Sequence, residues 1–375
     1  MNNKILFLVT EDWYFISHRL PLAIALKKNG FEVSVACKDT GKLEQINSYG
    51  FNCYNLKINR GYSSLFKVIK SIIEIKKVIN ISNISIIHAV SIQSIVLALF
   101  ATLFNKNIKI VAAITGLGSL FLTKNIKSRI IKYIIKLFLI LNFQRNNIKV
   151  IVQNRDDKKF VNKSLLCKNN KIIIIRGSGV NIKHHYVQPE PNYSPIIISF
   201  VGRLIKDKGI EYLLEAFKLA YKKNKNIKLL LVGNLDNDNV SSLGISELNN
   251  IIKNDNSIEY IGEIEDIREI WKISHIAILP SKREGLPKSL LEAAAAGRAI
   301  ITTDVPGCRE IALNNVNAKL VKFNDVNQLM IAILYLSINH KIRKSYGLKS
   351  RELVESDMSE NVVIENTLSL YKNFN

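Results

Sequence analysis

The stretch 281–310, SKREGLPKSLLEAAAAGRAIITTDVPGCRE, constrains this chain more than any other. The apolar run HIAILP (275–280) just before it is short enough to be a buried parallel strand. Glu284 and Gly285 make a tight turn. Pro287 suits the first helical position, where its missing N–H does no harm. Good helix formers fill 288–296, and Gly297 is a ready stop. AIITTD (299–304) then reads as a second strand. The spacing therefore predicts strand, loop, helix and strand, with the loop at the carboxyl end of the first strand. Open α/β sheets bind their ligands at that end.

The amides of Gly285, Leu286 and Pro287's neighbours fall at a helix N-terminus, which suits a diphosphate. Glu284 on the turn can accept hydrogen bonds from sugar hydroxyls, and Glu292 in the helix from a ribose. Two carboxylates beside an anion site make sense for a ligand that carries hydroxyls as well as phosphate, as a nucleotide sugar does. In an arbitrary strand–turn–helix, Glu284 would be a solvated loop residue and Glu292 part of an exposed helix face.

E284-GLPKSLL-E292, followed by A-x-x-x-G and ITTDVPGCRE, resembles the donor-binding signature of glycosyltransferase family 4. The resemblance is closest to bacterial enzymes that build O-antigen, capsule or lipid-linked oligosaccharides. It implies an α/β protein of the GT-B fold: two facing Rossmann-like domains with parallel sheets and a C-terminal helix crossing back to the first domain. It also implies a retaining, hexosyltransferase-type enzyme.

The rest of the chain agrees with an α/β reading. ILFLV (5–9) predicts a first strand, TEDWYFISHR a loop, 21–29 a helix and FEVSVAC (31–37) a strand. Strands are expected at 51–56, 84–88, 108–113, 148–152 and 172–175, with helices at 64–80, 92–104 and 125–143. G-x-G-x-x-G is missing, so a tightly held NAD or FAD is not expected. The proline-rich HHYVQPEPNYSP (184–195) marks a boundary. It divides the chain into an acceptor-binding domain (1–186), a nucleotide-sugar-binding domain (187–358) and a C-terminal helix (359–375).

After the boundary, G-R-x-x-x-x-K-G (202–209) matches the family 4 motif whose arginine and lysine hold the donor diphosphate. Two cations on one βα loop neutralise a leaving phosphate. The resemblance thus implies catalytic roles for Arg203, Lys208 and Glu284. It implies donor contacts from Gly202, Gly233, Ile264, Gly285, Leu286, Pro287 and Glu292. In the first domain, DWYFISHRLPLA and VAAITGLGSLF resemble cleft loops of the subgroup, which assigns His18, Arg19, Thr115, Gly116 and Gly118 to the acceptor. Thr115 and Gly116 stand where many relatives have a donor-contacting histidine, so no catalytic histidine is carried over. Asp236-Asn237-Asp238 has the form of the metal-binding D-x-D of the other large transferase fold. The GT-B reading expects no metal and no other cofactor.

Charge bears on the partners. Residues 1–190 hold 29 Lys and Arg against 9 Asp and Glu, so nearly all of the net +22 lies there. No acid occurs between Glu74 and Asp156. Such a one-sided domain points to an anionic surface. The interleaved aromatics of a single-strand-binding module are not evident, so an anionic inner-membrane surface is expected and nucleic acid is not. Apolar runs at 95–104 and 134–143 fall well short of the roughly 20 residues of a span. The N-terminus lacks a signal-peptide core. Four scattered cysteines without C-x-x-C spacing fit a reducing compartment.

Together these imply a cytoplasmic enzyme, peripheral on the bacterial inner membrane. It would transfer N-acetylhexosamine or a 6-deoxy relative from a UDP-sugar to an undecaprenyl-diphosphate-linked acceptor. A GT-B sugar-nucleotide epimerase and a non-catalytic membrane assembly subunit are the alternatives. In 126–141, Ile126, Ile130, Tyr133, Ile134, Leu137, Phe138 and Leu141 line one side of a helix. That stripe is either packed on a sheet or laid on lipid.

Overall fold

The computed structural model of the chain describes residues 3–57, 65–116, 126–235 and 255–374. Two compact units are present: 1–178 with 363–375, and 179–362. Among the described residues, unit 1 holds seven parallel strands: β1 (Lys4–Glu11), β2 (Glu32–Lys38), β3 (Asn52–Asn55), β4 (Ile86–Val90), β5 (Lys109–Ile114), β6 (Ile148–Val152) and β7 (Ile172–Ile174). Their order is β3-β2-β1-β4-β5-β6-β7, so the direction of winding reverses between β1 and β4. The strands are nearly continuous apolar runs because helices cover both faces. On β1, 5–9 are wholly buried.

One face of this sheet packs against the helices Leu65–Ile81, Ile92–Ala101 and Ile126–Phe143. The other packs against Asp12–His18, Leu20–Lys28 and the C-terminal helix Glu360–Lys372, which buries Val363, Leu370 and Tyr371 there.

Unit 2 repeats the plan with β8 (Ile196–Val201), β9 (Ile227–Val232), β10 (Ile258–Gly262), β11 (Ile276–Leu279), β12 (Ala299–Thr303) and β13 (Ala318–Val321). The order is β10-β9-β8-β11-β12-β13, all parallel, with the reversal between β8 and β11. Helix Ile210–Lys223 shows how the sequence builds the core: Ile210, Leu213, Leu214, Phe217 and Ala220 recur at helical spacing and are all buried.

Four local readings change. TEDWYFISHR, which has no clear apolar period, is not a loop: Asp12–His18 is a helix, fixed by Phe15 against Phe7 with ring centroids 5.6 Å apart. The helix expected over 92–104 stops at Ala101, where Thr102 Oγ1 donates back to the Ala98 carbonyl at 2.8 Å. Pro287 is the residue before the helix Lys288–Ala295, not its first turn. The division between units falls at Ser178/Gly179, upstream of the proline-rich stretch. That stretch is strapped onto unit 2: Arg298 Nη2 donates to the Gln188 carbonyl at 2.8 Å, and Arg343 pairs with Glu190 at 2.7 Å.

Candidate active site

Strands β8 and β11 flank the reversal in unit 2, so the loops at their carboxyl ends lie side by side at the crevice where such sheets bind ligands. These are the two loops that carry the sequence motifs. The β8 loop runs from Gly202 and exposed Arg203 through a 3₁₀ turn, Lys206–Lys208, into Gly209. Gly209 has φ +76, and a Cβ there would collide with the Pro280 carbonyl of the β11 loop. Only glycine allows the loops this close. Tyr212 Oη donates to the same carbonyl at 2.7 Å. Lys282 N donates to the Asp207 carbonyl at 2.9 Å, and Arg283 pairs with the Asp207 carboxylate at 2.9 Å.

Inside this framework Lys208 Nζ forms a close ion pair with Glu284 Oε1. Ser281 Oγ donates to the same oxygen at 2.6 Å. Both charged side chains are mostly buried, which strengthens their interaction beyond that of a surface pair. Gly307 supports the turn from beneath. Its φ is +75, and a Cβ would come within 2.6 Å of the Glu284 carbonyl. Thr302 Oγ1 holds the Leu279 carbonyl at 2.6 Å, and Thr303 Oγ1 holds that of Ser281. Next to them the Cys308 thiol is pushed up to about 12 by burial and by the Glu284 charge, so it is inert packing.

Beyond the turn, the helix Lys288–Ala295 begins after Pro287 with no side-chain cap bond, and the partial positive charge of a helix N-terminus falls at that end. Glu292 lies one turn in. Burial raises its carboxyl to about 7, a shift that Lys288 at 3.7 Å only partly offsets. Gly202 and Gly233 are joined along the same edge: Gly202 N donates to the Val232 carbonyl at 2.9 Å, and Gly233 N to that of Gly262 at 2.8 Å. Ile264 follows, packed on Ile197, Leu230, Val232 and Ile270.

In unit 1, Thr115 and Gly116 follow the carboxyl end of β5. His18 ends the helix after β1, and its ring stacks on Tyr14 at 4.4 Å. Arg19 is only 5% exposed and lies close enough to His88 and Tyr371 for its charge to act on both. Gly118, Asp236 and Asp238 lie outside the described residues.

The family model of group 1 glycosyl transferases matches residues 181–353, and that of glycosyl transferase 4-like proteins matches 4–154. The chain is a glycosyltransferase of this family, with the GT-B fold. It is 26% identical to N,N'-diacetylbacillosaminyl-diphospho-undecaprenol alpha-1,3-N-acetylgalactosaminyltransferase of Campylobacter jejuni, a match covering 95% of this chain and 97% of that one. It is 24% identical to UDP-Gal:alpha-D-GlcNAc-diphosphoundecaprenol alpha-1,3-galactosyltransferase of Escherichia coli, over 82% of this chain and 81% of that one. Among solved structures, Anabaena Alr3699/HepE in complex with UDP and glucose superposes with a TM-score of 0.76 at 14% identity, covering 98% of this chain and 99% of that one.

The glycosyltransferase also has site residues that sequence reasoning passed over. Ser281, three residues before Glu284, is visible as S-x-x-E but means little until the turn brings its hydroxyl to the carboxylate. Asp207 and Arg283 lie inside the motifs, yet their pairing is a tertiary fact. In unit 1, Ser91, between β4 and the helix Ile92–Ala101, has φ +83 and ψ 154, a region nearly reserved for glycine, and its Oγ accepts from Ser94 N. No local sequence signal marks that strain.

Proposed function

We propose that this glycosyltransferase moves a sugar, with retention at the anomeric carbon, from a UDP-sugar to an undecaprenyl-diphosphate-linked acceptor in O-antigen or capsule assembly. The observation that carries this reading is the buried Lys208–Glu284 pair joining the two reversal-point loops of unit 2. A cation there meets the donor diphosphate while its carboxylate partner meets the sugar hydroxyls. The two curated relatives act on diphospho-undecaprenol-linked sugars, and the Anabaena structure holds UDP. An N-acetylhexosamine or 6-deoxy-N-acetylhexosamine is the favoured sugar.

In this reading the bond from the anomeric carbon to the donor's β-phosphate oxygen breaks. The acceptor hydroxyl attacks the same face, and its proton passes to the departing phosphate, leaving UDP. Arg203, Lys208 and the first-turn amides of Lys288–Ala295 stabilise the charge that grows on that phosphate. Glu284 orients the sugar and Glu292 the ribose. The edge formed by Gly202, Gly233 and Ile264 faces the nucleotide. His18, Arg19, Thr115, Gly116 and Gly118 of unit 1 serve the acceptor. The reaction needs no metal. The enzyme works peripherally at the anionic cytoplasmic face of the inner membrane, with no role in nucleic-acid binding.

The test is a mass-spectrometric screen of UDP-sugars against short-chain lipid-diphosphate sugars. Mass gain by the acceptor with release of UDP, and an α-linkage by NMR, is the expected result. Consumption of a UDP-sugar without acceptor would instead identify an epimerase or hydrolase.

A further inference from the structure

Three helices lie side by side on one face of the unit 1 sheet: Leu65–Ile81, Ile92–Ala101 and Ile126–Phe143. Their inward sides are spent on the core. Ile75, Val78 and Ile79 of the first, Ile95 and Leu99 of the second, and Ile135, Leu139 and Phe143 of the third are buried together. Phe100 stacks on Phe138 at 4.0 Å, which fixes the second helix against the third.

The outward sides are also apolar. Phe66 is 78% exposed, Phe104 just past the second helix 91%, and Leu141 71%. Ile73, Ile134 and Leu137 on the same helices are exposed as well. Of the stripe read from the sequence over 126–141, Ile130, Tyr133, Ile134, Leu137 and Leu141 are therefore turned away from the core, while Phe138 packs against it. Large apolar side chains on adjoining helices call for a covering partner.

Charge decides which partner. Exposed Lys67, Lys70, Lys76, Lys77 and Arg129 are interleaved with the apolar groups. Across the three helices Glu74 is the only acid. A second copy docked through this face in two-fold symmetry would set like charges against like. A nucleic acid would leave the aromatic and aliphatic side chains uncovered. A bilayer rich in anionic lipid meets both terms: headgroups pair with the lysines while the apolar groups enter the acyl boundary. No helix among the described residues is long and apolar enough to cross a membrane.

We infer that this three-helix face is a monotopic docking surface for anionic lipid, with Phe66, Phe104 and Leu141 as its inserted anchors. The inference deepens the proposed function, since it rests on that reading for the expectation that docking serves a lipid-linked acceptor.

The experiment is co-sedimentation of the full chain with phosphatidylglycerol–cardiolipin vesicles and with phosphatidylcholine vesicles. Salt is set where the Debye length is about 10 Å and again where it is about 3 Å. The wild type is expected to prefer anionic vesicles and to keep part of its binding at high salt. The triple variant Phe66→Ser, Phe104→Ser, Leu141→Ser should lose about tenfold or more in binding at both salts. A charge variant, Lys67→Gln with Lys70→Gln, Lys77→Gln and Arg129→Gln, should lose binding chiefly at low salt. Circular dichroism melting confirms that both variants fold. Equal wild-type binding to both lipids would overturn the inference, as would wild-type-like binding by the folded triple variant. So would a wild-type dimer that the triple variant abolishes. If vesicle binding behaves as expected but no acceptor, soluble or vesicle-borne, is glycosylated, docking stands and the proposed function fails. If both hold, the triple variant keeps its activity on a soluble short-chain acceptor and loses it on the vesicle-borne one.

Discussion

The two units share a winding order yet use the same topological position differently. At the reversal point of unit 1, the acid at the end of β1 is spent on architecture. Asp12 accepts from Trp13 N at 2.6 Å, Thr40 N at 2.7 Å, Lys42 N at 2.8 Å and Thr40 Oγ1. Burial alone would raise its pKa, but these bonds outweigh it and hold the carboxyl below its usual value. At the reversal point of unit 2, the acid is held by Lys208 and a serine hydroxyl. A carboxylate tied to several backbone amides is a staple, because releasing it strands those donors. A carboxylate tied to a flexible ammonium can exchange partners, giving the cation to a phosphate and taking sugar hydroxyls in return. A shared fold therefore locates both crevices without assigning their roles.

Breaking each acid's set of bonds should separate the roles most sharply. On the proposed mechanism Lys208→Ala removes a charge-assisted contact to the leaving phosphate and should lower kcat of the folded fraction on the order of 10²-fold or more, with some loss of Tm as well because Glu284 is left mostly buried without its cation. Arg203→Ala should lower kcat in the same way with Tm little changed, since Arg203 is exposed. Asp12→Ala should lower Tm while kcat of the folded fraction persists, so it is kcat that separates the two acids' roles. Steady-state kinetics beside thermal melts decide it, and near-normal turnover by Lys208→Ala would remove the phosphate clamp from the mechanism.

A smaller effect is expected at Glu292, one turn into the helix. Its folded carboxyl is raised to about 7 from 4.5. Below 4.5 it is protonated in both folded and unfolded chains and costs nothing. As pH rises towards 7 the unfolded chain ionises first, so stability falls, and above 7 the cost levels off at about 3 kcal/mol. Glu292→Gln should therefore melt higher than wild type at pH 8 and equally at pH 4. Ribose hydroxyls favour the ionised form, so donor affinity in the wild type should tighten by about tenfold between pH 6 and 8. Calorimetric titration with an intact UDP-sugar, whose bridging diphosphate does not titrate in this range, would show this slope, and the Gln variant should be flat. A pH-independent wild type would show that Glu292 is not at the ribose.

What the sequence made legible follows the same division. The unit 2 site is built from two short stretches, 202–209 and 281–310, in which strand, turn and helix are all local events. The placement of Glu284, Lys208 and Glu292 is readable because it depends on those turns. The Asp12 staple is not, since Thr40 and Lys42 come from the next βα loop and only the fold brings them near. Helix Ile126–Phe143 shows a different limit. It carries one apolar set at 135, 139 and 143 and another at 130, 134, 137 and 141. Periodicity finds stripes, but a core-facing and an exposed apolar stripe have the same composition.

The last expectation is for no effect, and it tests whether the unit 2 crevice carries its own positive charge. Lys208 and Arg203 lie on one loop, and the uncapped start of Lys288–Ala295 adds the partial charge of its amides. Two formal cations and a helix terminus balance the two formal charges of a bridging diphosphate, so a divalent ion would be redundant there. Activity should persist in excess EDTA. Asp236→Ala combined with Asp238→Ala should be nearly silent in kcat and KM, because an acidic pair without a metal to hold has no part in neutralising phosphate. Loss of activity on chelation, restored by Mn²⁺, would show instead that the metal rather than Lys208 carries the leaving-group charge. Lys208→Ala in the presence of Mn²⁺ should then regain much of its rate, and the contrast between a staple in unit 1 and a clamp in unit 2 would have to be redrawn around Asp236 and Asp238.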